Sequence, residues 1–569
     1  MSTHDDVLPA AAPGAALPEG APISASPLTA PPRPDPDPAT IAALPDRVRA
    51  ATELLELVVG DRGLLAHLTA EQRMRLIRAT GNVYSPDNRA RRRMVKAGIR
   101  LRRAAVVNHA EAALSQTGIR ALRRKPVFNT PNVFPPSGFT QREIEDDPDH
   151  REIVEPQLCY ICKNDYTTVH HFYDQMCPDC AEFNFTKRTE LADLKGRVAL
   201  LTGGRVKIGY QAGLKLLRSG AHLIVTTRFP RDSAARYAKE PDFAEWGDRL
   251  EIFGLDLRHT PSVEAFCHEL LATRERLDFI INNACQTVRR PPDFYEHMMA
   301  GEKSALADAP EHVRKLLGSY EGLRGYHLLP EGDGTRMPAE GAGSGMPVEA
   351  NGANALPAAV ARASQVAGLT HAAELSQVRL LPDEQVAQRD LFPQGRLDQD
   401  LQQVDLRGRN SWRLLMAEVP SVELLEVQLV NAIAPFIINA RLKPLMLRTP
   451  NRDKHIVNVS AVEGQFYRRT KTTRHPHTNM AKAALNMMTR TSAADYHQDG
   501  IHMNSIDTGW VTDEDPAEIA ARKVVDHRFH PPLDIVDGAA RIVDPIMVGI
   551  NTGEHVWGQF LKDYRPTDW

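Results

Sequence analysis

Residues 198–209, VALLTGGRVKIG, constrain the fold more than any other stretch of the chain. An apolar, β-branched run breaks into a glycine-bearing turn, which then opens a helix-forming segment. A buried strand that delivers a tight glycine turn to a helix N-terminus leaves backbone N–H groups free to meet a pyrophosphate. Taken alone, such a turn fits an ordinary strand–helix connection equally well. The segments downstream decide between the two. Strands are predicted over 221–228 (AHLIVTTR), 250–257 (LEIFGLDL), 277–284 (LDFIINNA), 455–460 (HIVNVS) and 501–506 (IHMNSI), with amphipathic stretches between them. Such alternation gives βαβ units and hence an α/β fold, a doubly wound parallel sheet with helices on both faces.

That fold does not use all 569 residues, and the remainder divides by composition. Residues 1–45 are dominated by Ala and Pro and are expected to be a disordered tail. Residues 46–125 read as helical, with Leu54, Leu55, Val58, Leu64, Leu65 and Leu68 at three- and four-residue spacings. Thr69 is the expected N-cap of AEQRMRLI, with Gln72 three residues later. Residues 89–103 (RARRRMVKAGIRLRR) are rich in Arg and lack an acid. Without aromatic interleaving or a nucleic-acid motif, this charge reads as a solvated helix face rather than a nucleic-acid contact. The net charge of -3 gives no reason to expect nucleic acid as a partner. The N-terminus lacks the basic flank and apolar core of a secretory signal, and no stretch is expected to span a membrane.

Residues 126–193 hold an extended connector and a cysteine module. Cys159-Tyr-Ile-Cys162 and Cys177-Pro-Asp-Cys180 are two CxxC knuckles, each able to direct two thiolates at one cation. Together they predict a closed four-sulfur zinc site that is structural, with no open position for catalysis. A redox CxxC needs only one such pair, at a helix start in a thioredoxin-like unit. With four of six cysteines in this module, the chain has too few to make a disulfide scaffold, which points to a reducing, cytoplasmic compartment.

Over about 194–569 the ordered segments resemble the short-chain dehydrogenase/reductase family, whose domain is a Rossmann-like sheet. TGGRVKIG (202–209) stands where the family has its TGxxxGxG turn, placing Gly203, Arg205, Lys207, Ile208 and Gly209 at the cofactor. Asp256 and Leu257 stand at the family's adenine contact, and Asn282, Asn283, Ala284 and Cys285 at its NNAG motif. Asn431 matches the helix asparagine that supports a proton relay, and Lys482 the lysine of the YxxxK motif that holds the nicotinamide ribose. Thr508 and Gly509 stand for the PG pair beside the nicotinamide, and 558–564 (GQFLKDY) resembles the closing strand. Arg228 ends the second strand. An acid there would hold the ribose 2′-hydroxyl, whereas arginine accommodates a 2′-phosphate. Arg228, with Arg231 nearby, favours NADP over NAD.

Three positions depart from the family. Lys207 replaces the middle glycine of the turn, where a side chain either contacts a phosphate or crowds it. Arg205 and Lys207 together are expected to make the turn electropositive. Thr478 stands in place of the catalytic tyrosine, although its hydroxyl is too weak an acid to substitute directly. Ala461 stands in place of the catalytic serine, with Ser460 one position earlier. Tyr467, His475 and His477, in the long loop 463–482, are the candidates to supply the missing acid. A metal site joining His475 and His477 to His170 or His171 is a weaker alternative.

Two functions fit these residues. One is an NAD(P)-dependent oxidoreductase passing hydride between nicotinamide and a small-molecule carbonyl or alcohol, with Lys482, Asn431, Tyr467, Ser460 and Thr478 as its catalytic candidates. The other is a catalytically impaired nucleotide-binding regulator or scaffold on the same fold. The sheet is interrupted over about 286–415, an insertion whose Gly/Ala/Pro-rich centre is expected to be disordered and whose remainder is expected to form a lid or partner surface. The resemblance implies homo-oligomers through the helices bearing Asn431 and Lys482, and the added modules offer a protein partner other surfaces.

Overall fold

The computed structural model describes residues 42–128, 130, 152–304, 309–317, 372–386, 388–467 and 471–569. Most of the Ala/Pro-rich tail, most of the connector and the centre of the insertion lie outside the described residues. The chain divides into two compact units, Met1–Arg102 and Arg103–Trp569.

In the first unit, helices Leu44–Gly60 and Ala70–Tyr84 form where apolar residues recur at helical spacing. Thr69 caps the second helix reciprocally. Its Oγ1 accepts from Gln72 N at 3.2 Å, and Gln72 Oε1 accepts from Thr69 N at 3.1 Å. Neither helix has a buried residue, and Leu54, Leu57, Met74 and Ile77 are exposed. The basic run 89–103 lies on the helix Asn88–Ser115 with its Arg and Lys side chains exposed.

In the second unit, β1 (Glu152–Leu158) and β2 (Asp165–Thr168) pair antiparallel beside the cysteines. The main sheet has eight strands: β3 (Val198–Thr202), β4 (His222–Thr227), β5 (Leu250–Gly254), β6 (Phe279–Asn282), β7 (Lys454–Ser460), β8 (Ile501–Asp507), β9 (Phe560–Lys562) and β10 (Arg565–Thr567). Their order is β10-β9-β8-β7-β6-β3-β4-β5. All neighbours are parallel except β9 and β10. Every predicted strand is present, with its bounds shifted by a few residues at most.

The doubly wound sheet is apolar on both faces because helices cover both. On one face, Leu201, Val225, Ile281 and Val457 pack against Leu214 and Leu217 of the helix Lys207–Arg218 and against Ile542 and Ile546 of the helix Ile535–Thr552. On the other, Leu200, Ile280, Ile456 and Met503 meet Phe266, Ile438 and Leu442 from the helices Thr260–Thr273 and Ala434–Met446. Each such buried Leu, Ile or Phe contributes roughly 1.5–3 kcal/mol.

The helical stretch Ser421–Met446 is long and apolar enough to cross a membrane, with a mean hydropathy of 1.5. Its apolar side is a core face: Ile438, Leu442, Leu445 and Met446 are buried against the sheet, and Asn439 joins a buried amide network with Asn282 and Asn458.

Candidate functional site

Because β3 lies between β4 and β6, the chain leaves the C-terminal end of β3 in one direction and returns on its other side. A crevice opens at such a switch point. A cavity of about 640 Å³ occupies it, a size within the range of small-molecule sites.

The turn after β3 permits close approach to this cavity. Gly203 has φ +71°, and a Cβ there would lie 2.8 Å from Ala284 Cα. A Cβ on Gly209 would lie 2.2 Å from the Gly203 carbonyl oxygen and 2.4 Å from Asn283 Nδ2. Asn283 Nδ2 donates to the carbonyls of Thr202 and Gly203, both at 3.1 Å, and Ala284 N donates to Thr202 Oγ1 at 3.0 Å. Lys207 has φ +54°, in the left-handed region that favours glycine and costs a residue bearing a Cβ. It opens the helix Lys207–Arg218, whose N-cap Val206 supplies no side-chain acceptor. The N–H groups of the first turn, at Ile208 and Gly209 on the cavity wall, are therefore available to an anion.

Ten predicted cofactor residues line the cavity: Gly203, Arg205, Lys207, Ile208 and Gly209 from the turn, then Arg228, Asp256, Leu257, Asn283 and Ala284. Their charges are not equivalent. Contrary to expectation, Arg205 is not a free cation of the turn: its Nη1 pairs with Asp232 Oδ2 at 2.7 Å across the neighbouring helix. Arg258 holds Asp256 at 2.6 Å; burial pushes the Asp256 carboxyl up, but these bonds outweigh it and hold the group below its usual range. Arg290 pairs with Asp405. Among the described residues, Arg228 and Lys207 are the cavity-lining cations without a carboxylate at ion-pairing distance. Arg228 Nη2 donates to Tyr295 Oη at 2.6 Å, and its guanidinium lies 4.6 Å from that ring's centroid. Burial raises the Tyr295 phenol, but the charge and hydrogen bond of Arg228 prevail and lower it. Arg231 does not join Arg228; it is bound to Ser304.

Sequence alone does not single out the rest of the wall. Asp398, Gln402, Gln403, Val404, Asp405 and Asn410 of the insertion line the cavity. Arg289 with Glu384 and Arg290 with Asp405 tie the two ends of the insertion to each other, and Arg289 with Glu426 fastens it to the helix Ser421–Gln428. The basic start of the insertion, QTVRRPPDFY, was the visible signal; its acidic partners lie roughly a hundred residues away along the chain.

The catalytic candidates do not line this cavity. Lys482 is 5% exposed and its Nζ donates to Val459 O at 2.7 Å. Ser460 ends β7, and its Oγ donates to the Lys482 carbonyl at 3.4 Å. Thr478 is 3% exposed, and its Oγ1 has no hydrogen-bond partner among the described residues. Asn431 lies in a π-helical turn, Leu429–Ile433, where Oδ1 accepts from Gln286 N at 2.7 Å and Nδ2 donates to Gln286 O at 3.2 Å. Gly509 N donates to Asp507 Oδ2 at 3.2 Å, and neither Gly509 nor Thr508 reaches the cavity wall.

The proposed replacements for the acid are corrected. Tyr467 is 90% exposed, so its phenol is in solvent rather than beside Lys482. His475 has φ +43° and stacks on Trp412 with ring centroids 3.8 Å apart; burial lowers its pKa. His477 Nε2 lies 3.3 Å from Glu423 Oε1 in the interior. Neither meets His170 or His171, which pack in the cysteine module against Phe185. Trp412 and Leu414, whose carbonyl accepts from His475 N at 2.8 Å, lay the end of the insertion against the first turn of the helix Pro476–Gln498.

The four predicted cysteine ligands do converge, with all sulfurs within 4.8 Å of one another and Cys162 Sγ 3.7 Å from Cys177 Sγ. Tetrahedral Zn–S bonds of about 2.3 Å place sulfurs roughly 3.8 Å apart, so the set fits that ion. Burial pushes the Cys159 thiol up, but N–H donation from Cys177, Cys162 and Ile161 outweighs it and holds the group at about 7.

Residues 197–300 match the short chain dehydrogenase family, and residues 412–531 match the enoyl-(acyl carrier protein) reductase family. The chain is 29% identical over 400 residues to the uncharacterized protein R665 of Acanthamoeba polyphaga mimivirus, covering 68% of this chain and 71% of that protein. It is 37% identical over 107 residues to dehydrogenase/reductase SDR family member 13 of Bos taurus, covering 18% of this chain and only 28% of that relative. Among solved structures it is similar to a short-chain dehydrogenase/reductase from Burkholderia multivorans with bound NADP, at 15% identity and TM-score 0.35, covering 66% of this chain and 99% of that one. The two family segments fall in order on the observed strand order. They carry the likeness to a short-chain dehydrogenase/reductase domain.

Proposed function

We propose that this chain binds NADP(H) in the crevice beside β3 and acts as an oxidoreductase on a small carbonyl or alcohol. Arg228 carries the proposal. It is a cavity-lining guanidinium without a carboxylate partner, at the end of β4, where a 2′-phosphate would meet it. Lys207 and the uncapped helix N-terminus would hold the pyrophosphate. When bound, NADPH supplies a hydride to a carbonyl carbon, and the carbonyl oxygen takes a proton. Arg228 and Lys207 hold the phosphates of the cofactor, while Lys482, Ser460 and Thr478, the candidates to act on the substrate oxygen, lie off the cavity wall. The four-cysteine cluster would hold a structural zinc, and six cysteines without a disulfide suit a reducing cytoplasm. Leu425, Ile433, Phe436, Met480 and Met487, exposed on the helices bearing Asn431 and Lys482, support a homo-oligomer.

A second function, nucleotide-dependent regulation without turnover, is favoured by the burial of Lys482 and Thr478 off the cavity wall and by the exposure of Tyr467. Turnover of NADPH against a panel of aldehydes and ketones separates the two. Oxidation of NADPH that is abolished in Lys482→Ala supports the enzyme. Saturable NADPH binding without turnover on any carbonyl supports the regulator.

A further inference from the structure

Residues 510–533, a loop excursion that contains the helix Ala517–His527, supply Thr512, Asp513, Glu514, Asp515 and Ala520 to the cavity wall. Its neck is closed by Leu533 N donating to Trp510 O at 3.3 Å. Three side chains from the cysteine module end on this neck and on the helix that follows it. Trp510 N donates to Tyr160 Oη at 3.1 Å, Gln175 Nε2 donates to His530 O at 2.8 Å, and Tyr173 Oη donates to Asp537 Oδ1 at 2.5 Å. Arg188, on the helix that begins at the second knuckle, binds Asp534 at 2.7 Å and Asp537 at 2.9 Å. The apolar contacts converge on the same place. Cys159, Tyr173 and Met176 pack with Val511, Leu533 and Ile535, and Ile208 joins them. Ile208 and Ile535 also line the cavity, so the core of the module is continuous with the cofactor wall.

Tyr160 stands between the two cysteines of the first knuckle, and its own N–H is held by Gln175 O at 2.8 Å. The position of its phenol oxygen therefore depends on how those sulfurs are gathered. We propose that metal occupancy of the four-cysteine site controls how firmly the 510–533 loop closes the cofactor cavity, with Tyr160 as the positioning residue that couples the two. A tetrahedral ion fixes the backbone of the first knuckle, the phenol oxygen then holds Trp510, and the neck is pinned on both sides. Without the ion the knuckle is free to open, and the neck loses its acceptor at Trp510.

For its affinity readout this proposal rests on the NADP(H) function above; its structural readout does not. The experiment compares full-length protein loaded with zinc, the same protein stripped by a chelator, and zinc-loaded Tyr160→Phe. Hydrogen–deuterium exchange and NADPH fluorescence titration are measured on each. Stripping is expected to raise exchange about tenfold over 508–537 while leaving β3 to β6 protected, and to weaken NADPH binding by about tenfold. Tyr160→Phe should retain its zinc, raise exchange at Trp510 and Val511, and weaken NADPH binding about threefold, as loss of one neutral hydrogen bond does. Exchange that rises equally across the sheet on stripping would overturn the proposal, because the ion would then only hold the fold. So would unchanged exchange over 508–537, or a Tyr160→Phe protein indistinguishable from the parent. If the loaded protein binds no NADPH, the cofactor assignment fails, while the exchange data still decide whether the module braces the loop.

Discussion

The two halves of the crevice differ in kind. Around the glycine turn, the residue types expected at a dinucleotide line an open cavity, and two of its cations, Lys207 and Arg228, have no carboxylate partner. Across from it, on the helix Pro476–Gln498, Lys482 and Thr478 occupy the expected positions but face the interior, with the Trp412–His475 stack laid against the first turn. Binding and chemistry are thus separable in this molecule: the first follows from the turn and strand ends, the second from what the insertion and the 463–482 loop do around a retained lysine.

The sharpest way to break the binding half is Gly209→Val. Its Cβ would meet the Gly203 carbonyl oxygen at 2.2 Å. NADPH binding should fall more than about a hundredfold, and stability by roughly 2–4 kcal/mol, measured by fluorescence titration and thermal melts. Arg228→Ala tests the cofactor choice more narrowly. NADPH affinity should fall about 10- to 100-fold while NADH affinity is unchanged, the loss expected for a charge-assisted bond to phosphate.

Acid probes a region remote from both halves. His455, His502 and His555 cluster at the start of β7 and β8 and in the 553–559 loop, with Asp453, Arg197, Arg452 and His497 facing them. Burial lowers all three, His502 to about 4. A histidine with a depressed folded pKa binds fewer protons folded than unfolded. Its contribution is therefore complete above pH ~6.5 and lost as pH falls toward 4. His502 alone should cost on the order of 2 kcal/mol between pH 6.5 and 4.5, read from denaturant midpoints. The smallest effect belongs to Tyr467→Phe, which should leave NADPH binding and any turnover unchanged, because the phenol is solvent-exposed.

The strands, the glycine turn, the Thr69 cap and the cysteine cluster were legible in the sequence because each is set by local periodicity or spacing. What was not legible depends on long-range packing. Asp232 neutralises Arg205 from the helix Pro230–Tyr237, Asp405 reaches Arg290 from the far end of the insertion, and Tyr160 meets Trp510 across 350 residues. Tyr467 shows the converse error. Its side-chain chemistry suits proton transfer, but nothing in the 463–482 pattern says which way the loop points.

Equilibrium titration of the full-length protein with NADPH and with NADH, followed by nicotinamide fluorescence, tests the central claim most directly. Saturable NADPH binding at a single site is expected, with NADH weaker by at least about tenfold. Equal affinity for the two would remove the role given to Arg228, and no binding of either would contradict the assignment of the crevice beside β3 to a dinucleotide.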